Sequence, residues 1–148
     1  MTEISELTSE HERWNETAEY ADKCPWKAGK KLAELMRENR FEDFERVFIA
    51  VKNDRIIGFC TLTKKDTLPD KYLYSPFIGY VFVDEEYRGR RVSQKMIEYV
   101  RHYARISGFG RVYITSGEVG LYEKFGFRKL GVYETVYGTS EQLFVINT

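Results

Sequence analysis

The sequence predicts an α/β (α+β) sandwich, in which helices flank one mixed β-sheet. Short apolar runs rich in β-branched and aromatic residues recur after the first third of the chain, and amphipathic stretches with helical spacing lie between them. No repeat and no linker rich in Pro, Gly or Ser divides the 148 residues. This length suits one domain with a substantial core, so we expect a single domain over residues 1–148.

The first third of the chain is predicted to be helical. Apolar residues repeat at helical spacing in "WKAGKKLAELMREN", and Pro25 beside Trp26 suits the start of this helix. An earlier helix is predicted from about Ser9 to Tyr20.

The period then changes to that of β-strands. "RVFIAV" and "IIGFCTL" are separated by Asn53 and Asp54, a pair typical of tight turns, so we expect a hairpin. A third strand, "FIGYVFV", follows the loop "KKDTLPDKYLYSP".

A long amphipathic helix follows this third strand. It is predicted to end near Gly108, and its apolar face is formed by Val92, Met96, Ile97, Val100 and Ala104.

The remaining elements are short. "RVYIT" is predicted as a strand, and Thr115 with Glu118 has the spacing of a capping box for a short helix, "GEVGLYEKF", that would end at Gly126. "FRKLGVY" and "QLFVI" are predicted as the last two strands.

Charge and composition exclude several functions. Lys and Arg number 23 and Asp and Glu also 23, and neutral net charge argues against a protein that depends on broad attraction to nucleic acid or membrane. No RNP-type aromatic strand motif supports RNA binding. Cys24 and Cys60 lack CxxC spacing and a His pair, so we expect free thiols and no metal site. Neither a signal-like N-terminus nor a run of roughly 18 apolar residues is present, which predicts a cytoplasmic protein without membrane contact.

A cluster of arginines lies where a predicted strand runs through a turn into the long helix. In "VFVDEEYRGRRVS", Gly89 permits a turn that other residues resist, and Arg88, Arg90 and Arg91 supply donors suited to phosphate oxygens. The free N–H groups of the helix start favour the same ligand. Solvated surface arginines are the alternative, but the cluster and its placement favour a pyrophosphate site. Neither GxxxxGK[ST] nor GxGxxG is present.

The order strand, "YRGRRVS", amphipathic helix, strand, "GLYEKFGF" resembles the GNAT superfamily of N-acetyltransferases over residues 46–134. The family signature is Arg/Gln-x-x-Gly-x-Gly/Ala. Arg88 matches its first position, whereas Arg91 stands where the family has Gly, and Ser93 where it has Gly or Ala. The resemblance implies a GNAT-like mixed, mostly antiparallel central sheet flanked by helices, and acetyl-CoA as the co-substrate.

The resemblance also implies roles for individual residues. The pyrophosphate of acetyl-CoA would bind largely to main-chain N–H groups at the turn and helix start, and the pantetheine arm to the backbone of Phe82 and Val83. Tyr122 stands where the family often places the general acid that protonates the departing thiolate, although it could instead be a packing aromatic. Thr115 stands where many relatives have an Asn that contacts CoA. The implied cofactor-binding residues are Phe82, Val83, Arg88, Gly89, Arg90, Arg91, Val92, Ser93 and Thr115.

The implied reaction is direct attack of a primary amine, of a small molecule or peptide, on the acetyl thioester, with the carbonyl oxygen held by a backbone N–H near Val83. No Asp or Glu lies within "PFIGYVFV", where some relatives carry a base, so a water chain or Glu118 remains as proton acceptor. The loop before that strand offers acids and tyrosines, of which Asp70 and Tyr74 are predicted to bind the acceptor. The missing base keeps a non-catalytic acyl-CoA-binding regulatory module as the alternative, and a homodimer stays open.

Overall fold

The computed structural model describes residues 1–148 and contains one seven-stranded sheet in the order β1-β2-β3-β4-β5-β7-β6. The strands are β1 (Glu3–Leu7), β2 (Arg46–Lys52), β3 (Arg55–Thr63), β4 (Phe77–Val83), β5 (Arg111–Ser116), β6 (Arg128–Glu134) and β7 (Ser140–Asn147). The helices are α1 (Trp14–Lys23), α2 (Lys27–Arg37), α3 (Val92–Ile106) and α4 (Leu121–Lys124), with a 3-10 turn at Glu85–Tyr87.

The sheet is mixed and mostly antiparallel, as predicted. Only β4 and β5 run parallel, and their pairing is confined to Phe77 opposite Tyr113. All other neighbouring strands pair in antiparallel fashion. The sheet therefore has one weakly joined seam at its centre.

The first strand was missed by the sequence prediction. Residues Glu3–Leu7 pair with β2 along their whole length, from Glu3 opposite Val51 to Leu7 opposite Val47. The helix expected from Ser9 begins only at Trp14. A short edge strand of this kind depends on a distant partner for its hydrogen bonds, so its own few residues carry little signal.

The β2–β3 hairpin and the long helix are confirmed. Asn53 and Asp54 have φ of 51° and 63°, the left-handed conformation that a tight hairpin turn requires. Helix α3 ends at Ile106, and Gly108 follows with φ of 98°, as expected of a residue just past a helix end.

The predicted capping box at Thr115 is wrong. Thr115 lies within β5, which pairs with β7 as far as Ser116 opposite Gln142 and so holds this segment extended. Helix α4 starts only at Leu121, after Gly120 with φ of 84°. The hydroxyl of Thr115 therefore does not cap a helix and is free to contact another element.

Helices cover both faces of the sheet. On one face α3 packs through residues such as Met96 and Ile97, and Tyr122 of α4 joins the same core. On the other face α1 and α2 cover β2 to β4 through residues such as Leu32 and Met36. The loop over residues 64–76 covers β5 and β7 on that second face, where Leu68 packs beside Phe77 and Tyr113. None of the helices has the length and apolar character needed to cross a membrane.

Candidate active site

The parallel seam opens into a cavity. Beyond Phe77 and Tyr113, β4 and β5 no longer pair, and β4 carries a bulge in which its register with β3 shifts between Phe59 and Thr61. Tyr80, within the bulge, has φ of 50°. Because a bulge bends its strand, β4 diverges from β5, and a cavity of about 880 Å³ occupies the gap.

The cavity brings together most of the residues singled out from the sequence. It extends from the N-terminus of α3, along the free edge of β4, to α4 and the end of β5. Tyr122 lines it, as does every predicted cofactor-binding residue except Arg90: Phe82, Val83, Arg88, Gly89, Arg91, Val92, Ser93 and Thr115.

The start of α3 has the properties of an anion site. No backbone N–H from Gly89 to Gln94 donates to a protein acceptor, and the first one used is that of Lys95, which bonds to the carbonyl oxygen of Arg91. No side chain caps this helix. Gly89 has φ of 80° and open space where a side chain would lie. A row of free donors at the positive end of a helix dipole fits the pyrophosphate of acetyl-CoA.

The three arginines have different environments. Arg88 Nε donates to the carbonyl oxygen of Val83 at 2.9 Å, and its guanidinium lies over the ring of Phe82. Arg90 lies over the ring of Tyr87 outside the cavity. Arg88 therefore braces the turn against the end of β4, a role the sequence did not indicate.

Arg91 has a backbone conformation that glycine adopts more readily than other residues. It precedes α3 with φ of 63° and ψ of 22°, in the left-handed region that side chains disfavour. A Gly at this position, as in the signature that the sequence resembles, adopts this conformation without a steric penalty. The Arg91 side chain is exposed at the mouth of the cavity, so it leaves the N–H groups accessible.

Tyr122 is buried, with 5% of its surface exposed, and its ring packs against Phe125, Phe127 and Phe144. Burial raises the pKa of its phenol to about 12, and the nearby hydroxyl of Ser116 opposes this rise. The phenol is therefore neutral across the physiological range and can donate a hydrogen bond into the cavity. Tyr122 thus packs in the core beside α3 and also lines the cavity.

Asp66 is the acidic residue that sequence reasoning left without a specific role. It comes from the loop over residues 64–76, lines the cavity and accepts a 2.9 Å hydrogen bond from Thr115 Oγ1. Burial raises the pKa of its carboxyl. The same contact gives the hydroxyl of Thr115 a protein partner, and the CoA contact that the resemblance implied stays a prediction.

Asp70 and Tyr74, which were predicted to bind the acceptor, do not line the cavity, and their role stays a prediction without support from this cavity. Asp70 is exposed and pairs with Lys65 at 2.7 Å. The hydroxyl of Tyr74 lies 3.0 Å from that of Tyr133, within an aromatic cluster over β5 and β7. The loop does contribute to the cavity, but through Asp66.

The end of the cavity near Asp66 is aromatic and acidic. Trp26, which precedes α2, stacks on Phe82 with ring centroids 6.0 Å apart, and Tyr80 lies beside it. Glu118 lines the same cavity but is exposed. No local sequence signal marked Trp26 or Tyr80, because the fold brings them to the cavity from different elements.

Comparisons with known proteins agree with this architecture. Residues 5–127 match the sequence model of the Acetyltransferase (GNAT) family. The chain belongs to this family of N-acetyltransferases, and acetyl-CoA is its co-substrate. The comparison with curated proteins finds no match.

Several solved structures share the fold at low sequence identity. Aminoglycoside 6'-acetyltransferase type Ii has a TM-score of 0.75 and 16% identity, over 98% of this chain and 96% of that one. A GNAT family acetyltransferase from Elizabethkingia anophelis with acetyl-CoA bound has a TM-score of 0.68 and 17% identity, over 99% and 98%. A GNAT acetyltransferase from Streptococcus pneumoniae has a TM-score of 0.71 and 15% identity, over 99% of both chains.

Proposed function

We propose that this protein transfers the acetyl group of acetyl-CoA to a primary amine of a small molecule or peptide by direct attack. The observation that carries the proposal is the continuity of the cavity. One gap between β4 and β5 connects the free N–H groups at the start of α3 with Tyr122 and Asp66. A ligand with a pyrophosphate at one end and a thioester at the other suits this arrangement.

The chain's own groups support each part of the transfer. The N–H groups from Gly89 to Gln94 bind the pyrophosphate, and the unpaired edge of β4 up to Val83 offers backbone groups to the pantetheine arm. The amine nitrogen attacks the carbonyl carbon, the C–N bond forms, and the C–S bond then breaks with its electron pair passing to sulfur. Tyr122 donates its proton to that sulfur. Burial raises the pKa of Tyr122, which makes it a weaker acid, and it also disfavours a thiolate in this cavity, which raises the proton affinity of the sulfur in the same direction.

The end of the cavity near Asp66 suits an acceptor that carries a cationic amine next to an apolar group. Asp66 and Glu118 supply negative charge, whereas Trp26 and Tyr80 supply aromatic faces on which alkyl or ammonium groups pack. Aminoglycosides, named as substrates of two proteins of similar fold, are polycationic amines and belong among the compounds tested.

The experiment is acetyl-CoA turnover against a panel of amines: alkyl monoamines, polyamines, arylalkylamines, aminoglycosides and peptides with a free N-terminus. Release of free CoA thiol measures rate, and mass spectrometry of the product locates the acetyl group. Turnover with at least one primary amine supports the proposal. Tight acetyl-CoA binding by calorimetry without turnover on any amine would instead support the non-catalytic acyl-CoA-binding module, and absence of binding would exclude both.

A further inference from the structure

We propose that Asp66 accepts the proton that the attacking amine must lose, an assignment that rests on the acetyl transfer proposed above. The sequence offered no acid on β4 for this task, and the structure supplies one from the loop over residues 64–76. Three features of its surroundings support the assignment.

The first feature is its position relative to Tyr122. Thr115 and Ser116 are consecutive residues of β5, so their side chains point to opposite faces of the sheet. Thr115 contacts Asp66 on the face covered by α1 and α2, whereas Ser116 lies beside Tyr122 on the face covered by α3. The two groups thus meet the gap between β4 and β5 from opposite faces. A nucleophile and a leaving group occupy different directions around one tetrahedral carbon, so a base and an acid on opposite faces fit a single reacting centre.

The second feature is the space beside the carboxylate. Asp66 Oδ2 accepts from Thr115, while Oδ1 turns toward Gly79, where an added Cβ would lie 3.7 Å from it. The same Cβ would lie 3.2 Å from Thr61 Oγ1, a buried hydroxyl without a hydrogen-bond partner. Gly79 lines the cavity, and because it lacks a side chain, Asp66 Oδ1 and Thr61 Oγ1 approach the backbone of β4 at the cavity wall. A side chain at this position would crowd Thr61 Oγ1 and contact Asp66 Oδ1, so glycine lets the Asp66 carboxylate lie against β4 where the strand borders the cavity.

The third feature is the charge around Asp66. No Lys or Arg forms an ion pair with Asp66, in contrast to Asp70, which pairs with Lys65. The titratable groups that face it are Tyr80 of β4 and Glu141 of β7, and neither supplies positive charge. Because no cation neutralises it, the carboxylate keeps its affinity for a proton or an ammonium. Glu118, the other acid of the cavity, is exposed to water and lacks this environment.

The proton balance is simple. The bound ammonium first loses one proton to solvent, which frees the lone pair of its nitrogen. As this lone pair forms the C–N bond, the nitrogen becomes positively charged and far more acidic than the free ammonium, so its remaining excess proton passes to the Asp66 carboxylate. The C–S bond breaks, the electron pair goes to sulfur, and the sulfur takes the proton of Tyr122. Asp66 then releases its proton to solvent and Tyr122 regains one. The net products are the N-acetyl amine and CoA thiol.

The test compares the wild type with Asp66→Asn, which keeps an oxygen to accept from Thr115 but does not take up a proton. Asp43→Asn is the matched control, since Asp43 is exposed and paired with Lys64 at the edge of the same loop. With an amine of ordinary basicity, Asp66→Asn is expected to lower kcat by about 10²–10⁴-fold, the usual contribution of acid–base catalysis, and to leave the KM for acetyl-CoA unchanged. Asp43→Asn is expected to retain wild-type kcat.

Two further readouts separate a base from a residue that only binds or positions. The Asp66→Asn defect is expected to shrink by at least about tenfold with a weakly basic amine such as trifluoroethylamine, because its nitrogen loses a proton more easily. The part of the acidic limb of kcat/KM that comes from protonation of Asp66 is expected to be lost in Asp66→Asn, so that only the limb from protonation of the amine itself remains. A raised KM for the amine with unchanged kcat, or an equal defect with both amines, would overturn the assignment while leaving the proposed function intact. Absence of turnover by the wild type with every amine overturns both.

Discussion

Thr115 and Ser116 are neighbours on β5, yet they contact two groups on opposite sides of the sheet. Thr115 Oγ1 donates to Asp66 at 2.9 Å, and the Ser116 hydroxyl lies beside the phenol of Tyr122. Because side chains alternate between the two faces of a β-strand, this one short segment of β5 contacts both Asp66 and Tyr122. Because β5 pairs with β7 as far as Ser116 opposite Gln142, that segment is held extended where the chemistry is proposed to occur.

Replacing Tyr122 by Phe is expected to lower kcat by about 10²–10⁴-fold, because the departing thiolate loses its proton donor. The ring and its contacts with Phe125, Phe127 and Phe144 remain, so the melting temperature and the Kd for acetyl-CoA are expected to stay near wild type. Steady-state kinetics, calorimetry and thermal melts measure the three quantities. Tyr99→Phe removes a hydroxyl that bonds to Glu6 away from this cavity and serves as the control. Full activity in Tyr122→Phe would assign Tyr122 to the core alone.

Asp66→Asn is expected to raise the melting temperature at neutral pH. The folded-state pKa of Asp66 is raised, so its ionisation costs stability as pH rises from the unfolded pKa of about 3.9 through the folded value. Asn resembles the protonated form, and its advantage should vanish in acid, where Asp66 is protonated in both states. Thermal melts across pH measure the difference.

Asp43→Asn provides a control of opposite sign for that experiment. The ion pair with Lys64 lowers the pKa of Asp43, so this carboxylate contributes stability above its unfolded pKa and loses it in acid. Its replacement should lower the melting temperature slightly or leave it unchanged at neutral pH. A lower melting temperature in Asp66→Asn at neutral pH would mean that the charged carboxylate stabilises the fold.

Arg91→Gly is expected to stabilise the protein by up to about 1 kcal/mol. A side chain in the left-handed region costs roughly 1–2 kcal/mol, and replacement by Gly removes this cost. The greater freedom of Gly in the unfolded chain offsets part of the stability gained. Denaturant unfolding measures it. Arg90→Gly is the control, since Arg90 does not have a positive φ and should gain nothing.

The same Arg91→Gly variant tests what binds acetyl-CoA. If the backbone N–H groups carry the affinity, the Kd measured by calorimetry should change by less than about tenfold. A charge-assisted hydrogen bond from the side chain is worth about 1.5–3 kcal/mol, so a loss beyond tenfold would identify Arg91 itself as a phosphate ligand.

Ser93→Asp is expected to separate helix stability from ligand binding. A carboxylate in the first turn of α3 interacts favourably with the helix dipole, by about 0.3–1 kcal/mol, so the melting temperature should rise or stay constant. The same charge lies beside the free N–H groups and repels a pyrophosphate. The Kd for acetyl-CoA should therefore rise by at least about tenfold. Ser93→Asn, of equal size and no charge, controls for steric effects. Unchanged binding in Ser93→Asp would place the pyrophosphate elsewhere.

Several features of this protein were predictable from the sequence because they depend on residues close together in the chain. The turn at Asn53 and Asp54, the amphipathic face of α3 and its end before Gly108 all follow from local turn chemistry and helical period. The strand–turn–helix junction around Gly89 predicted a row of free N–H groups for the same reason. The family signature lies within that junction, which is why the fold and family were predicted correctly.

The tertiary structure decided what depends on distant partners. β1 exists because Leu7 and its neighbours pair with Val47 and the rest of β2, and no periodicity within five residues indicates that. Thr115 had the spacing of a helix cap, but pairing with β7 holds β5 extended. The hydroxyl of Thr115 then donates to the carboxylate of Asp66, 49 residues earlier in the chain. From the sequence, Asp70 and Tyr74 were chosen in this loop rather than Asp66, and only the packing of the loop against β5 shows that Asp66 is the one of the three that lines the cavity. Contacts across long sequence separations leave no local pattern, because burial and hydrogen bonding there are set by the fold as a whole.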